Sequence, residues 1–313
     1  IYVDLGRVDE YADWVSRIDF VNVTDSDLDN DMFESAEKQY LQNNHKNAIS
    51  GFQKYLSRFP RGLYTLKSNF YLAESLYANN QKIETIPHYS YVIQKEQGEN
   101  TEQSLSRLAQ AYLENDDWKK ATPILERLEN ESDDVQNITF AQSNLMKAYY
   151  TNKNYSNAVN YAEKILSQSG IDNRIKSDAH VIIARSAIKT NDESNARSAY
   201  KQVETIATGK LKAEALYYSA YFEHQDGSYR VSNQIVQKIA SDYATYKYWG
   251  AKGLIIMAKN HYELKDSFQA TYILESVIKN FSQFDEVVKE AQTELNKIKT
   301  EEAKTNDSVI PGN

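Results

Sequence analysis

The sequence predicts an all-α solenoid of helical hairpins, and three observations predict it. A unit of about 37 residues recurs, a period in the range of helical-hairpin repeats, with starts near 29, 66, 102, 139, 177, 213 and 251. Every unit carries a small or soft residue in its first helical stretch: Ala36, Ala73, Ala109, Met146, Ala184, Ala220 and Ala258. Twelve positions on comes a second, at Ala48, Thr85, Ala121, Ala158, Ala196, Ser232 or Ala270. Small residues at both places let two antiparallel helices approach until their ridges interlock. Between them lie polar turns such as Asn43-Asn44-His45, Asn79-Asn80-Gln81, Asn115-Asp116-Asp117 and Asp226-Gly227-Ser228. Asn, Asp and Gly there close one helix in a left-handed conformation and cap the next.

In chain order, residues 1–20 match only the second half of such a unit. Leu5 to Tyr11 reads as turn and helix start, with Trp14, Val15 and Ile18 on an apolar side. The expectation is a longer array entered part-way. Residues 21–28 break the helical pattern and form the one expected joint, with Thr24, Asp25 and Ser26 available as caps. The array proper covers 29–299. Its first unit is typical: Ala48, Phe52, Tyr55 and Leu56 line the second helix, and Phe59-Pro60 stops it. Pro87 and Pro123 follow the second small residue in consecutive units, where each removes an amide donor and crowds the carbonyl four residues back. Those second helices either start late or bend. From 300 to 313 no apolar period remains, so a solvated, frayed tail is expected.

Composition narrows the function. A chain of 313 residues with 41% hydrophobic and 26% charged residues can bury a core and stay hydrated. Its net charge of −8 argues against salt-driven binding to nucleic acid and against adsorption to an anionic membrane surface. No apolar run reaches the ~18 residues of a membrane span, so direct insertion by this chain is not expected. There are no cysteines, which excludes disulfides and thiolate metal sites. His45, His88, His180, His224 and His261 are scattered at no more than one per unit, without ligand spacing. Paired acids such as Asp116-Asp117 and Asp133-Asp134 sit in turns, where capping explains them. No phosphate loop, nucleophile elbow or HExxH helix is present. Neither catalysis, a cofactor nor a metal is expected.

The pattern Ala36, Ala48, Phe52, Pro60, together with Ala109-x-x-Tyr112, Trp118, Ala121 and Tyr149, Tyr155, Ala158, resembles the tetratricopeptide repeat over about residues 1–299. The departures are a period two to four residues above the family's usual length and no initial tryptophan. The resemblance implies a right-handed α-α superhelix of about seven hairpin repeats plus a leading half repeat. Ile49-x-x-Phe52-x-x-Tyr55-Leu56-x-x-Phe59-Pro60, followed by Tyr64 and Phe70-Tyr71-Leu72-Ala73-Glu74-x-x-Tyr77, is similar to envelope members of the β-barrel assembly and Tol–Pal systems. The Asn-, Lys- and Tyr-rich style is similar to the C-terminal part of large periplasmic repeat proteins of Bacteroidota. A periplasmic or outer-membrane-associated location is implied, with a cytoplasmic one as the alternative.

In such arrays the first helices line a concave groove. The residues expected there are Phe33, Glu37, Tyr40, Phe70, Glu74, Tyr77, Gln110 and Glu114, then Lys147, Tyr150, Arg185, Lys189, Tyr217, Tyr221, Lys252, Lys259 and Tyr262. Their charges run from acidic to basic along the chain, which suits a protein or peptide segment of dipolar charge. Tyrosine offers a large ring and a hydroxyl to a partner, yet Tyr40, Tyr77, Tyr150 and Tyr262 also stand where they can pack on the next repeat. Phe33 and Glu37 occupy the positions where chaperone-tail receptors of the family carry Lys and Asn, which excludes that ligand. The functional expectation is a non-enzymatic interaction scaffold of the bacterial envelope. The alternatives are a structural spacer or self-association module, and the recognition arm of an enzyme whose catalytic domain lies elsewhere.

Overall fold

A computed structural model describes residues 25–95 and 98–309, together with Glu10, Asp13, Trp14 and Arg17. Its regular elements are helices: α1 (Asp25–Leu41), α2 (His45–Arg58), α3 (Thr65–Ala78), α4 (Ile86–Lys95), α5 (Glu99–Glu114), α6 (Trp118–Glu131), α7 (Val135–Thr151) and α8 (Tyr155–Leu166). After them come α9 (Asn173–Lys189), α10 (Glu193–Ile206), α11 (Gly209–Gln225), α12 (Tyr229–Asp242), α13 (Lys247–Glu263), α14 (Ser267–Asn280) and α15 (Asp285–Val309). The chain divides into two compact units, one ending at Ala148 and the other beginning at Tyr149. In the first, α1–α2, α3–α4 and α5–α6 pair as hairpins; in the second, α9–α10, α11–α12 and α13–α14 do so, with α8 packed on α9 and α15 on α13 and α14.

The small-residue register explains the pairing. Ala36 is 2% exposed, and Ala48, Ala73, Ala109, Ala121, Ala184, Ala196, Ala220, Ala258 and Ala270 are fully buried. Where a hydroxyl replaces the methyl it is satisfied locally. Thr85 Oγ1 donates to the Lys82 carbonyl at 2.6 Å, and Ser232 Oγ to the Ala220 carbonyl of the facing helix at 2.7 Å. Gly51 takes this logic to its limit: a Cβ there would stand 2.9 Å from the Ala36 Cβ.

Left-handed residues close the first helix of every hairpin: Asn43, Asn80, Asp116, Lys153, Asn191, Gly227 and Lys265 all have positive φ. The amide after each reaches back to the carbonyl five residues earlier, as in Asn44 to Gln39 and Asp266 to His261, both within 2.9 Å. This Schellman geometry satisfies carbonyls the helix end would leave bare. Asp117, Asn154, Asp192 and Asp266 then cap the following helix by accepting from the amide three residues on. The seventh turn, Leu264-Lys265-Asp266, escapes a reading based on Asn and Gly: a lysine holds its left-handed position, as Lys153 does in the fourth, but here without a flanking Asn.

Four expectations need revision or resolution. The half repeat over 1–20 and the joint over 21–24 lie outside the described residues, apart from the four named above. Residues 25–28 are the first turn of α1 rather than part of a joint, and Leu28 is buried. The stretch 300–309 continues α15 instead of fraying; Glu301 and Glu302 accept from Tyr262 Oη at 2.8 Å and Ser267 Oγ at 2.9 Å. As for the prolines, Pro87 delays its helix behind a 3-10 turn at Ile83–Thr85, whereas Pro123 lies inside α6.

Candidate functional site

The face presented by the first helices is the candidate binding surface, and the structure fixes what each expected residue does there. In the first unit Phe33 is 3% exposed and stacks on Tyr64 with centroids 4.2 Å apart. Tyr64 itself is held by its Oη donating to Asn30 at 2.8 Å. Beneath it Tyr55 donates to Asp29, and burial pushes the Tyr55 hydroxyl above its ordinary range. Phe70 is buried as well. Phe33, set inward by the α1–α2–α3 packing, and Phe70 are therefore buried residues rather than open groove positions. Glu37 is half-buried. Tyr40 stacks on Tyr71 of the next hairpin at 4.6 Å.

Glu74, expected to face a partner, accepts from Tyr89 Oη at 2.5 Å and from Gln103 Nε2 at 2.8 Å, so it joins α3, α4 and α5. Tyr77 donates to Gln110 at 3.1 Å, Gln110 donates to Glu114 at 3.1 Å, and Lys82 pairs with Glu114 at 2.7 Å. The Lys82 ammonium holds the Glu114 carboxyl below its usual range. Arg107 lies 3.9 Å over the Tyr77 ring. Lys147 is half-buried and makes its own contacts.

In the second unit the basic residues are mostly matched by acids two helices on, one repeat away. Arg185 grips Glu214 through Nε at 2.7 Å and Nη2 at 2.5 Å, and Tyr200 Oη adds a third bond at 3.1 Å. Glu214 is 1% exposed. Its charge holds the Arg185 guanidinium above its ordinary range, while burial first and Glu214 second push the Tyr200 hydroxyl up. Lys252 pairs with Glu290, and Lys259 with Glu294 at 3.1 Å, both acids on α15. Tyr217 is a core residue, 7% exposed, packed on Trp249 at 5.3 Å. Tyr221 accepts from Gln225. Tyr150 lies 5.7 Å from Tyr155, and Lys189 is exposed. Tyr262 is pushed up to about 12 by its bond to Glu301.

The expected change from acidic to basic is thus largely neutralised within the chain. Neighbouring repeats meet through charge and hydrogen-bond pairs about one repeat apart, and those pairs consume most of the charged residues expected to meet a partner. His224 belongs to the same system, while His88 ties the two helices of one hairpin. Asn69 Nδ2 donates to the Thr65 carbonyl, so its Oδ1 receives the His88 Nδ1 proton at 2.8 Å. Asn260 spends its amide on Ser232 and Asn233 and accepts from His224 Nδ1 at 2.7 Å. Among the described residues no group of three His, Cys, Asp or Glu could hold a metal, and no helix is long and apolar enough to cross a membrane. Sequence reasoning missed Arg107, Glu214, Glu290 and Glu294, whose partners are non-local.

No protein-family model matches the chain, and no curated protein matches its sequence. Among solved structures it is similar to the C-terminal part of a tetratricopeptide repeat-containing protein from Cytophaga hutchinsonii, at a TM-score of 0.56 and 13% identity over 82% of this chain and 98% of that one. A tetratricopeptide repeat protein from Parabacteroides merdae matches at a TM-score of 0.44 and 12% identity over 84% and 98% of the two chains. At such identities the likeness to the first is one of fold, and it agrees with the buried alanine register and the recurring left-handed turns. The chain has the tetratricopeptide-repeat fold.

Proposed function

We propose that this chain is a non-enzymatic scaffold of the bacterial envelope that takes a segment of a protein partner on the first-helix face. The observation that carries the reading is the succession of hairpins whose first helices still offer Glu37, Arg107 and Lys189 after the internal pairs are made. A repeat array offers many short helices side by side, and an extended partner reads several at once. The envelope location rests on the sequence style described above. A photo-crosslinker placed in cells at Glu37 and Lys189, with Gln53 and Lys201 on second helices as controls, tests it. Envelope partners captured from the first-helix positions alone support the proposal. Cytosolic partners alone remove the location, and equal capture from both sets removes the face.

A specific observation favours a second reading, a spacer. Pairs such as Arg185–Glu214 and Lys252–Glu290 use the face to join one repeat to the next. A spacer would yield no partner at either set of positions.

A further inference from the structure

Arg107 stands apart from the other cations of the first unit's inner face. Lys82 has Glu114, yet among the described residues no carboxylate lies within salt-bridge distance of Arg107. Its guanidinium carbon lies over the Tyr77 ring, 3.9 Å from the centroid. That ring is fixed in turn by the Tyr77–Gln110 bond. Glu74, on the same helix as Tyr77, has both oxygens engaged, by Tyr89 and by Gln103. Stacking leaves the N–H edge of a guanidinium open for a planar, two-oxygen acceptor while limiting the rotamer freedom lost on binding.

Arg107 also lines a cleft of about 400 Å³ together with Glu102, Gln103, Ser106, Asp134 and Asn137. Two of these are carboxylates, but Glu102 is held by Ser132 and by Asn137 at 2.8 Å. Asp134 receives the Gln136 amide at the start of α7, at 2.7 Å. Gln103 and Ser106 add neutral polar groups at the mouth. The neutral donors Ser132 and Asn137 leave the Glu102 carboxyl ionised, held below its usual range, so Glu102 and Asp134 both oppose an anion. A phosphate dianion would meet twice the repulsion that a carboxylate does, and one negative charge is the most that Arg107 can offset.

We infer that this cleft is the specificity pocket of the first unit, and that Arg107 receives an aspartate or glutamate side chain of the partner segment. The inference rests on the proposed scaffold reading and names the chemistry of its ligand. A library of N-acetylated, C-amidated peptides selected on the whole chain tests it. The wild type should enrich one fixed Asp or Glu. Arg107→Gln should weaken the selected peptides about tenfold, the same loss that Glu→Gln in the peptide causes, with no further loss when both changes are combined. Arg107→Glu should select Lys or Arg at that position, and Asp134→Asn should tighten acidic peptides by about two- to threefold. Arg107→Lys, which keeps the charge, covers the case in which the glutamine variant does not fold. A consensus without an acid, or one whose acid is indifferent to Arg107, overturns the pocket and leaves the scaffold standing. Enrichment only from a library with free C-termini overturns the side-chain assignment. No consensus from either library overturns both readings.

Discussion

Breaking the Arg185–Glu214 pair from one side should cost more than replacing it altogether. Glu214 is 1% exposed and accepts three hydrogen bonds, two from Arg185 and one from Tyr200. Arg185→Met leaves that carboxylate buried with only a phenol, a situation that costs about 3–5 kcal/mol in buried pairs. Glu214→Gln keeps the shape and one acceptor oxygen. The Arg185 side chain, 33% exposed, recovers part of its hydration, so a loss of about 2 kcal/mol is expected. Changing both residues, as Arg185→Met with Glu214→Leu, removes the desolvated charge and should return to within about 1 kcal/mol of the wild type. A repeat array opens locally, so amide hydrogen exchange read by mass spectrometry on α9, α10 and α11 is the suitable assay, with α1–α3 as internal reference. A double variant no better protected than the worse single one would refute the reasoning, because it would mean that packing, not charge, holds these helices together.

Other perturbations separate competing effects elsewhere. Gly51→Ala gains about 1 kcal/mol of helix propensity but forces a methyl to within 2.9 Å of Ala36 Cβ; overpacking of about 1–3 kcal/mol should win, and a raised melting temperature would contradict it. Lys265→Gly, at φ +66, should stabilise the seventh turn by about 0.5 kcal/mol, while Gly227→Ala, at φ +76 with open space around it, should cost about 1 kcal/mol; the two melts should move in opposite directions. Burial holds the His88 imidazole below its ordinary 6.5, so the folded state binds the proton less tightly than the unfolded chain. Protection of α3 and α4 should be full at pH 8 and fall as the pH drops through 6.5 towards the folded value, a dependence that His88→Gln should flatten in the same exchange experiment.

The legible and the illegible parts of this molecule differ by range. The alanine register and the Asn or Asp turns could be read because each acts within one hairpin, and the twelve-residue step between small positions is a local geometric fact. The fate of the charged residues could not. Arg185 meets an acid 29 positions on and Lys252 one 38 positions on, distances set by how one repeat seats on the next. The same blindness hid the end of the array. Residues 300–309 look like a tail because their apolar period is gone, yet they ride on a helix whose Val287, Ala291, Leu295 and Ile298 are buried, and the hydroxyls of α13 and α14 tie down Glu301 and Glu302. Tyr40 shows a partial success: stacking on the next repeat was foreseeable, but not that Tyr71 would be the ring it meets.

The seven left-handed residues fall seven positions after the first small residue and five before the second in every repeat, whereas the repeats themselves differ in length. All of that difference therefore lies between the second small residue and the next first one, in the end of the second helix, the link and the opening turns of the following first helix. Chimeras, tags and single-residue insertions belong at those links. Between the two small residues the same changes would throw the alanines out of register, so the natural unit of exchange for building variants of this protein is the whole hairpin, cut from link to link.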